Sequence, residues 1–169
     1  MTNANFGSHR NILYLKMIVG FSFLAILATT YLTYLHFAPD AAEFCHFNDK
    51  FNCDLVNKSI WSVINLGFVK IPVSLMGLAT YIILLVGSLG LVKGWAFTKI
   101  HSALTPTLVC RLLSYLTFIG VVFSLYLTYI EAFVLQTFCI FCLIQQLILL
   151  IIFVLFLVMR RNDLGDAKA

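Results

Sequence analysis

Four stretches without a charged residue, Met17–Phe37, Ile71–Val92, Leu112–Ile130 and Thr137–Met159, decide what this chain can become. Each holds 19 to 23 residues, and a hydrocarbon core about 30 Å thick takes roughly 20 residues of helix to cross. Charged residues make up only 11% of the chain and hydrophobic ones 62%, far from the roughly 25% charged of soluble domains. The expected fold is an all-α integral membrane protein, a four-transmembrane-helix bundle forming a single domain over residues 1–169. Its spans are expected at about 12–37, 71–92, 109–131 and 137–159, with a long loop at 38–70. The run beginning near Met17 has no small-residue cleavage site and is long enough to span, so it reads as a retained first helix. The net charge of +4 comes without a basic cluster interleaved with aromatics, which gives no sign of nucleic-acid binding.

The positive charges orient the bundle. Arg10 and Lys16 precede the first span, Lys93, Lys99 and Arg111 lie in or beside the second connection, and Arg160, Arg161 and Lys168 follow the last. Lys50, Lys58 and Lys70 of the first connection are offset there by Asp40, Glu43, Asp49 and Asp54, while the third connection carries Glu131 and no Lys or Arg. Both termini are therefore expected in the cytoplasm. The loop 38–70 and the start of the fourth helix are expected on the outer face.

That loop is not uniformly polar. After Asp54, a suitable N-cap, Leu55, Val56, Ile60, Val63 and Ile64 recur at helical spacing and Gly67 can end the turn. The pattern predicts a short amphipathic helix over Leu55–Leu66 lying on the outer surface, with Trp61 at the lipid headgroup level. Pro72 is expected in the first turn of the second span.

Four of the five cysteines then fall on one side. Cys139 and Cys142, in Phe138-Cys139-Ile140-Phe141-Cys142-Leu143, are three apart at the head of the fourth span. There they share a helix face, and the helix N-terminus favours thiolate over thiol. Cys45 and Cys53 flank a polar stretch of the loop. All four are expected at an oxidising face, within reach for thiol–disulfide exchange. Four thiolates could also hold zinc, but the eight-residue gap from Cys45 to Cys53 is a poor match to the paired spacing of such sites. A static disulfide in the loop is the other reading of Cys45 and Cys53. Cys110 lies at the opposite end, as a small core residue. His36 and His46 are candidate proton donors or merely solvated. No haem, dinucleotide or iron–sulfur motif occurs, so the simplest electron acceptor is a lipid-soluble quinone.

The ordered set of Cys45 with Cys53, then Ser59, then Pro72-Val73-Ser74-Leu75-Met76-Gly77 running to Tyr81, then Cys139-Ile140-Phe141-Cys142 resembles the vitamin K epoxide reductase (VKOR) family, in its prokaryotic quinone-linked branch. The resemblance implies an enzyme of the prokaryotic inner (cytoplasmic) membrane that supports disulfide-bond formation. It implies catalytic Cys45, Cys53, Cys139 and Cys142, with Cys139–Cys142 as the active-site disulfide. Cys142 would face the quinone (ubiquinone, menaquinone or a relative) and form a charge-transfer or covalent adduct with it. Cys139 would exchange with Cys53, and Cys45 with a thioredoxin-fold (DsbA-like) partner. Ser59, Val73, Met76, Tyr81 and Gln146 are the implied quinone contacts, and no metal is implied. Val73 and Gln146 stand where animal members have an asparagine and a tyrosine, which favours a quinone over vitamin K epoxide. Some relatives carry a fused thioredoxin-like domain; here the redox partner is expected in trans. A DsbB-type disulfide generator performs the same net reaction but has its tight cysteine pair in the earlier segment. A tetraspan scaffold with structural disulfides is the non-catalytic alternative.

Overall fold

The computed structural model describes residues 9–38, 46–48, 50–65, 70–95 and 104–166, without the side chains of 46–48 and 163–166. Four long helices cross back and forth: α1 (His9–Phe37), α3 (Val73–Val92), α4 (Pro106–Ile130) and α5 (Ile140–Asp166). Between α1 and α3 lie β1 (His46–Asn48), β2 (Phe51–Asn52), the five-residue α2 (Cys53–Asn57), a 3-10 turn (Ile60–Ser62), β3 (Val63–Asn65) and β4 (Lys70–Pro72). Each long helix has the length and hydropathy of a membrane span. At 1.5 Å per residue even the 20 residues of α3 cover about 30 Å.

The helices meet along narrow seams. On α1 the buried residues Asn11, Leu15, Ile18, Ser22, Ala25, Thr29 and Leu32 recur in alternating steps of four and three, the repeat that keeps one edge of a helix turned to its neighbours. Small and polar residues recur in these seams, with Ser22, Thr29, Ser88 and Thr117 fully buried. They let backbones approach where lipid offers no hydrophobic contrast. The Thr29 and Thr117 hydroxyls donate to the carbonyls of Ala25 (2.8 Å) and Leu113 (2.6 Å) one turn back, so neither is left unpaired. At Gly87 on α3, an added Cβ would sit 2.9 Å from Leu113 Cδ1 of α4; the glycine is what allows that approach. Leu, Ile and Phe side chains such as Phe23, Leu27, Ile83 and Ile119 point outward instead.

The connection above α1 departs from its sequence pattern. In place of one helix over Leu55–Leu66, α2 begins at Cys53 and stops at Asn57, and its cap is Asn52, whose side chain accepts from the Leu55 N–H at 3.0 Å. Two causes break the expected helix. The Ser62 hydroxyl bonds the carbonyls of Asn57 (2.6 Å) and Ser59 (2.7 Å), offering the backbone an alternative to helix. The β-branched pair Val63 and Ile64 instead forms a strand against β4, with Val63 opposite Pro72 and Ile64 opposite Ile71. Pro72 accordingly closes that strand in extended conformation and caps α3, rather than sitting within its first turn. Gly67, expected to end the helix, lies outside the described residues, as does Cys45.

The later spans also begin and end elsewhere than expected. α4 starts at Pro106, where the Thr105 side chain accepts from the Leu108 N–H. It runs into a π-helical turn (Glu131–Leu135) that Gln136 terminates in left-handed conformation, φ 51°. Chain direction therefore reverses before Thr137, and α5 begins at Ile140.

Candidate functional site

The two cysteine-bearing segments are clipped together by backbone. Phe51 and Phe138 form a parallel bridge: the Phe138 N–H donates to the Lys50 carbonyl at 2.8 Å, and the Asn52 N–H to the Phe138 carbonyl at 3.1 Å. Cys53 follows one strand of the bridge and Cys139 the other. Both are fully buried, in one apolar cluster with Leu32, Leu35 and Val56. Cys53 is disulfide-bonded, whereas Cys139 and Cys142 are free thiols. The Cys142 N–H donates to the Cys139 sulfur at 3.3 Å, as residues at the head of a helix can. Cys110 packs against the main core near the start of α4, the end of that helix away from Glu131.

Below this cluster opens an apolar cavity of about 390 Å³, within the size range of small-molecule sites. Cys142 lines it; Cys139 does not. So do Ser59, Val73, Met76, Tyr81 and Gln146, all five of the contacts inferred from the sequence. Two of these have their polar groups already engaged. The Tyr81 hydroxyl donates to the Gln145 carbonyl at 3.0 Å, and the Gln146 side-chain oxygen accepts from the Thr128 hydroxyl.

Four further residues were given no site role by the sequence. Ser74 and Gln145 also line the cavity, and the Ser74 hydroxyl and Gln145 side-chain nitrogen are buried with no hydrogen-bond partner among the described residues. Asn57 ties the roof to α1: its side-chain nitrogen donates to the Leu32 carbonyl at 2.7 Å, and its own carbonyl lies 2.8 Å from His36 Nδ1. His36 thus holds the loop down; the His46 side chain lies outside those described. The fourth is Glu131, 3% exposed, whose carboxylate accepts from the Cys139 N–H at 3.1 Å and faces the Cys142 thiol. A signal for it was present, since Glu131 is the sole Asp or Glu between Asp54 and Asp163, and a carboxyl group at membrane depth marks function more often than not.

A thiol pair at a helix head, its first sulfur buried against a second cysteine and its other sulfur lining an apolar chamber, has the parts that thiol–disulfide exchange requires. The family model of the vitamin K epoxide reductase family matches residues 16–157, which include α3, α4, most of α5 and both cysteine segments. The chain belongs to the vitamin K epoxide reductase family. No individual curated protein matches it. As a member of the vitamin K epoxide reductase family it is a multi-pass membrane thiol–disulfide oxidoreductase. Enzymes of this family generally work with thioredoxin-like partners and with a quinone as electron partner. No group of three or more metal-binding side chains occurs among the described residues.

Proposed function

We propose that this protein reoxidises a thioredoxin-fold (DsbA-like) protein in trans and passes the electrons to a quinone, supporting disulfide-bond formation outside the cytoplasmic membrane of a prokaryote. In this reading both termini are cytoplasmic and the clipped cysteine segments face outward. The reduced partner opens a Cys45–Cys53 disulfide and leaves oxidised. Cys53 thiolate then attacks the Cys139 sulfur of a Cys139–Cys142 disulfide, releasing Cys142 as thiolate. Cys45 resolves the mixed disulfide, which frees Cys139 and restores Cys45–Cys53. The dithiol so formed hands two electrons to quinone, bound in the cavity beside Cys142, and the Cys139–Cys142 bond closes again.

One observation carries this reading: Cys139 is packed with Cys53 while Cys142, three residues on, lines the apolar cavity. The pair spans a boundary between a protein-facing sulfur and a ligand-facing one. Apolar walls suit a quinone ring, and the unpartnered Ser74 hydroxyl and Gln145 amide suit its carbonyl oxygens.

The test is quinone reduction by purified protein with a thioredoxin-like donor, repeated with each cysteine replaced in turn. Cys142→Ala is expected to abolish turnover, Cys53→Ala to trap partner or substrate disulfides, and Cys110→Ala to leave the rate unchanged. A Cys142→Ala protein that reduces quinone at the wild-type rate overturns the proposal.

A further inference from the structure

Glu131 is a carboxyl group inside a membrane-spanning segment, 3% exposed, with no ion pair among the described residues. Such burial is costly, and the fold goes out of its way to create it. The chain leaves α4 through a π-helical turn that begins at Glu131, a distortion frequently found at functional sites. The Gln136 and Thr137 N–H groups both fold back onto the Glu131 carbonyl, Thr137 at 3.2 Å. That reversal sets the side chain under the head of α5, where its carboxylate meets the Cys139 N–H at 3.1 Å and the Cys142 thiol. Glu131 and Cys142 line the same cavity. The titratable side chain facing the carboxyl is thus the Cys142 thiol, while Cys139 of the same pair meets it through its backbone N–H.

We propose that Glu131 is the proton carrier of the Cys139/Cys142 dithiol, accepting the thiol proton from Cys142 and delivering it to an oxygen of the electron acceptor. The inference rests on the quinone reading above. Oxidation of the dithiol releases two electrons and two protons as one S–S bond forms, and reduction of a quinone to quinol takes up two of each. The atoms balance without another reactant, but the protons need a path, because the cavity walls are largely apolar and Cys139 is buried. Glu131 takes the first proton as the Cys142 sulfur gives up its electron pair. Once emptied onto the acceptor, the same carboxyl takes the second proton as the Cys139 sulfur closes on Cys142 and passes it to the acceptor as well. The acceptor leaves with two electrons and two protons, and the carboxyl ends the cycle deprotonated, as it began.

Two substitutions separate this role from that of a helix cap. Glu131→Gln keeps an oxygen that can accept from the Cys139 N–H but cannot carry a proton; Glu131→Asp keeps the proton but shortens the reach. The full-length protein in nanodiscs, driven by dithiothreitol with short-chain ubiquinone as acceptor, supplies kcat and KM. Glu131→Gln is expected to lower kcat by about 100-fold or more, the usual contribution of a positioned acid–base group, with KM for quinone within about threefold. Glu131→Asp is expected to retain more activity than the Gln variant and to keep the wild-type solvent deuterium isotope effect. A Gln variant within about threefold of the wild-type kcat, or one more active than the Asp variant, overturns the proposal in favour of capping. Wild-type protein inert toward ubiquinone overturns the quinone reading and this inference together, whereas an active wild type with an unaffected Gln variant overturns this inference alone.

Discussion

Replacing Ser74 by Ala separates a ligand-binding hydroxyl from a structural one, because the two roles predict opposite signs. The Ser74 hydroxyl is buried beside the cavity without a partner among the described residues. An unsatisfied buried polar group costs about 1–3 kcal/mol, so its removal is expected to leave the ligand-free protein unchanged or more stable by about 1 kcal/mol. Binding changes the other way. A hydrogen bond to a neutral acceptor contributes about 0.5–1.5 kcal/mol net of water exchange. This donor has already lost its water, so the upper end applies, which corresponds to about a tenfold rise in Kd. Gln145→Met removes the second unpartnered donor at similar side-chain length and is expected to do the same, the double variant losing about 100-fold if the two act independently. Trp61 lines the cavity and Trp95 lies past the far end of α3, so quenching of Trp61 fluorescence by short-chain ubiquinone reads Kd directly. Equilibrium unfolding in bicelles reads stability. A Ser74→Ala protein that is destabilised by more than about 1 kcal/mol and binds quinone as tightly as wild type refutes the reasoning, since the hydroxyl then serves the fold.

Two further perturbations probe how the site is held. Phe138→Pro deletes the N–H that clips the α5 head to Lys50; the rate of exchange between the two cysteine pairs is expected to fall about tenfold in stopped-flow mixing with a reduced donor, and an unchanged rate counts against the bridge as the alignment device. Gly87→Val drives methyl groups into Leu113 of α4 and is expected to cost roughly 1–3 kcal/mol; Leu113→Ala in the same chain should return at least half of it, and strictly additive losses would show that the two helices do not meet there.

The fate of particular residues shows where sequence reading reached its limit. Cys139 and Cys142 meet at the head of α5, as a spaced motif that fixes helix faces locally implies, and Ser59, Val73, Met76, Tyr81 and Gln146, positions transferred one by one by a family resemblance, line one cavity. Leu55–Leu66 was misjudged in extent because periodicity over a dozen residues does not weigh a serine hydroxyl bonding Asn57 or a partner strand supplied by Lys70–Pro72. Glu131 was seen as a loop charge, since nothing in its neighbours announces that a π-helical turn will bring it to Cys139, eight residues later.

What the sequence by itself determined is the number of crossings, the all-helical class and the pairing of Cys139 with Cys142 at one helix head, because span length and motif spacing are properties of the chain read one segment at a time. Which side of each helix faces inward was decided only in the tertiary structure. Lipid is as apolar as the bundle interior, so outward Leu27 and Ile83 and inward Leu15 and Leu84 carry the same hydropathy. Only packing geometry, through Gly87, the buried serines and threonines and the bridge at Phe51 and Phe138, distinguishes them. The cavity and the carboxyl beside it exist only once that packing is made.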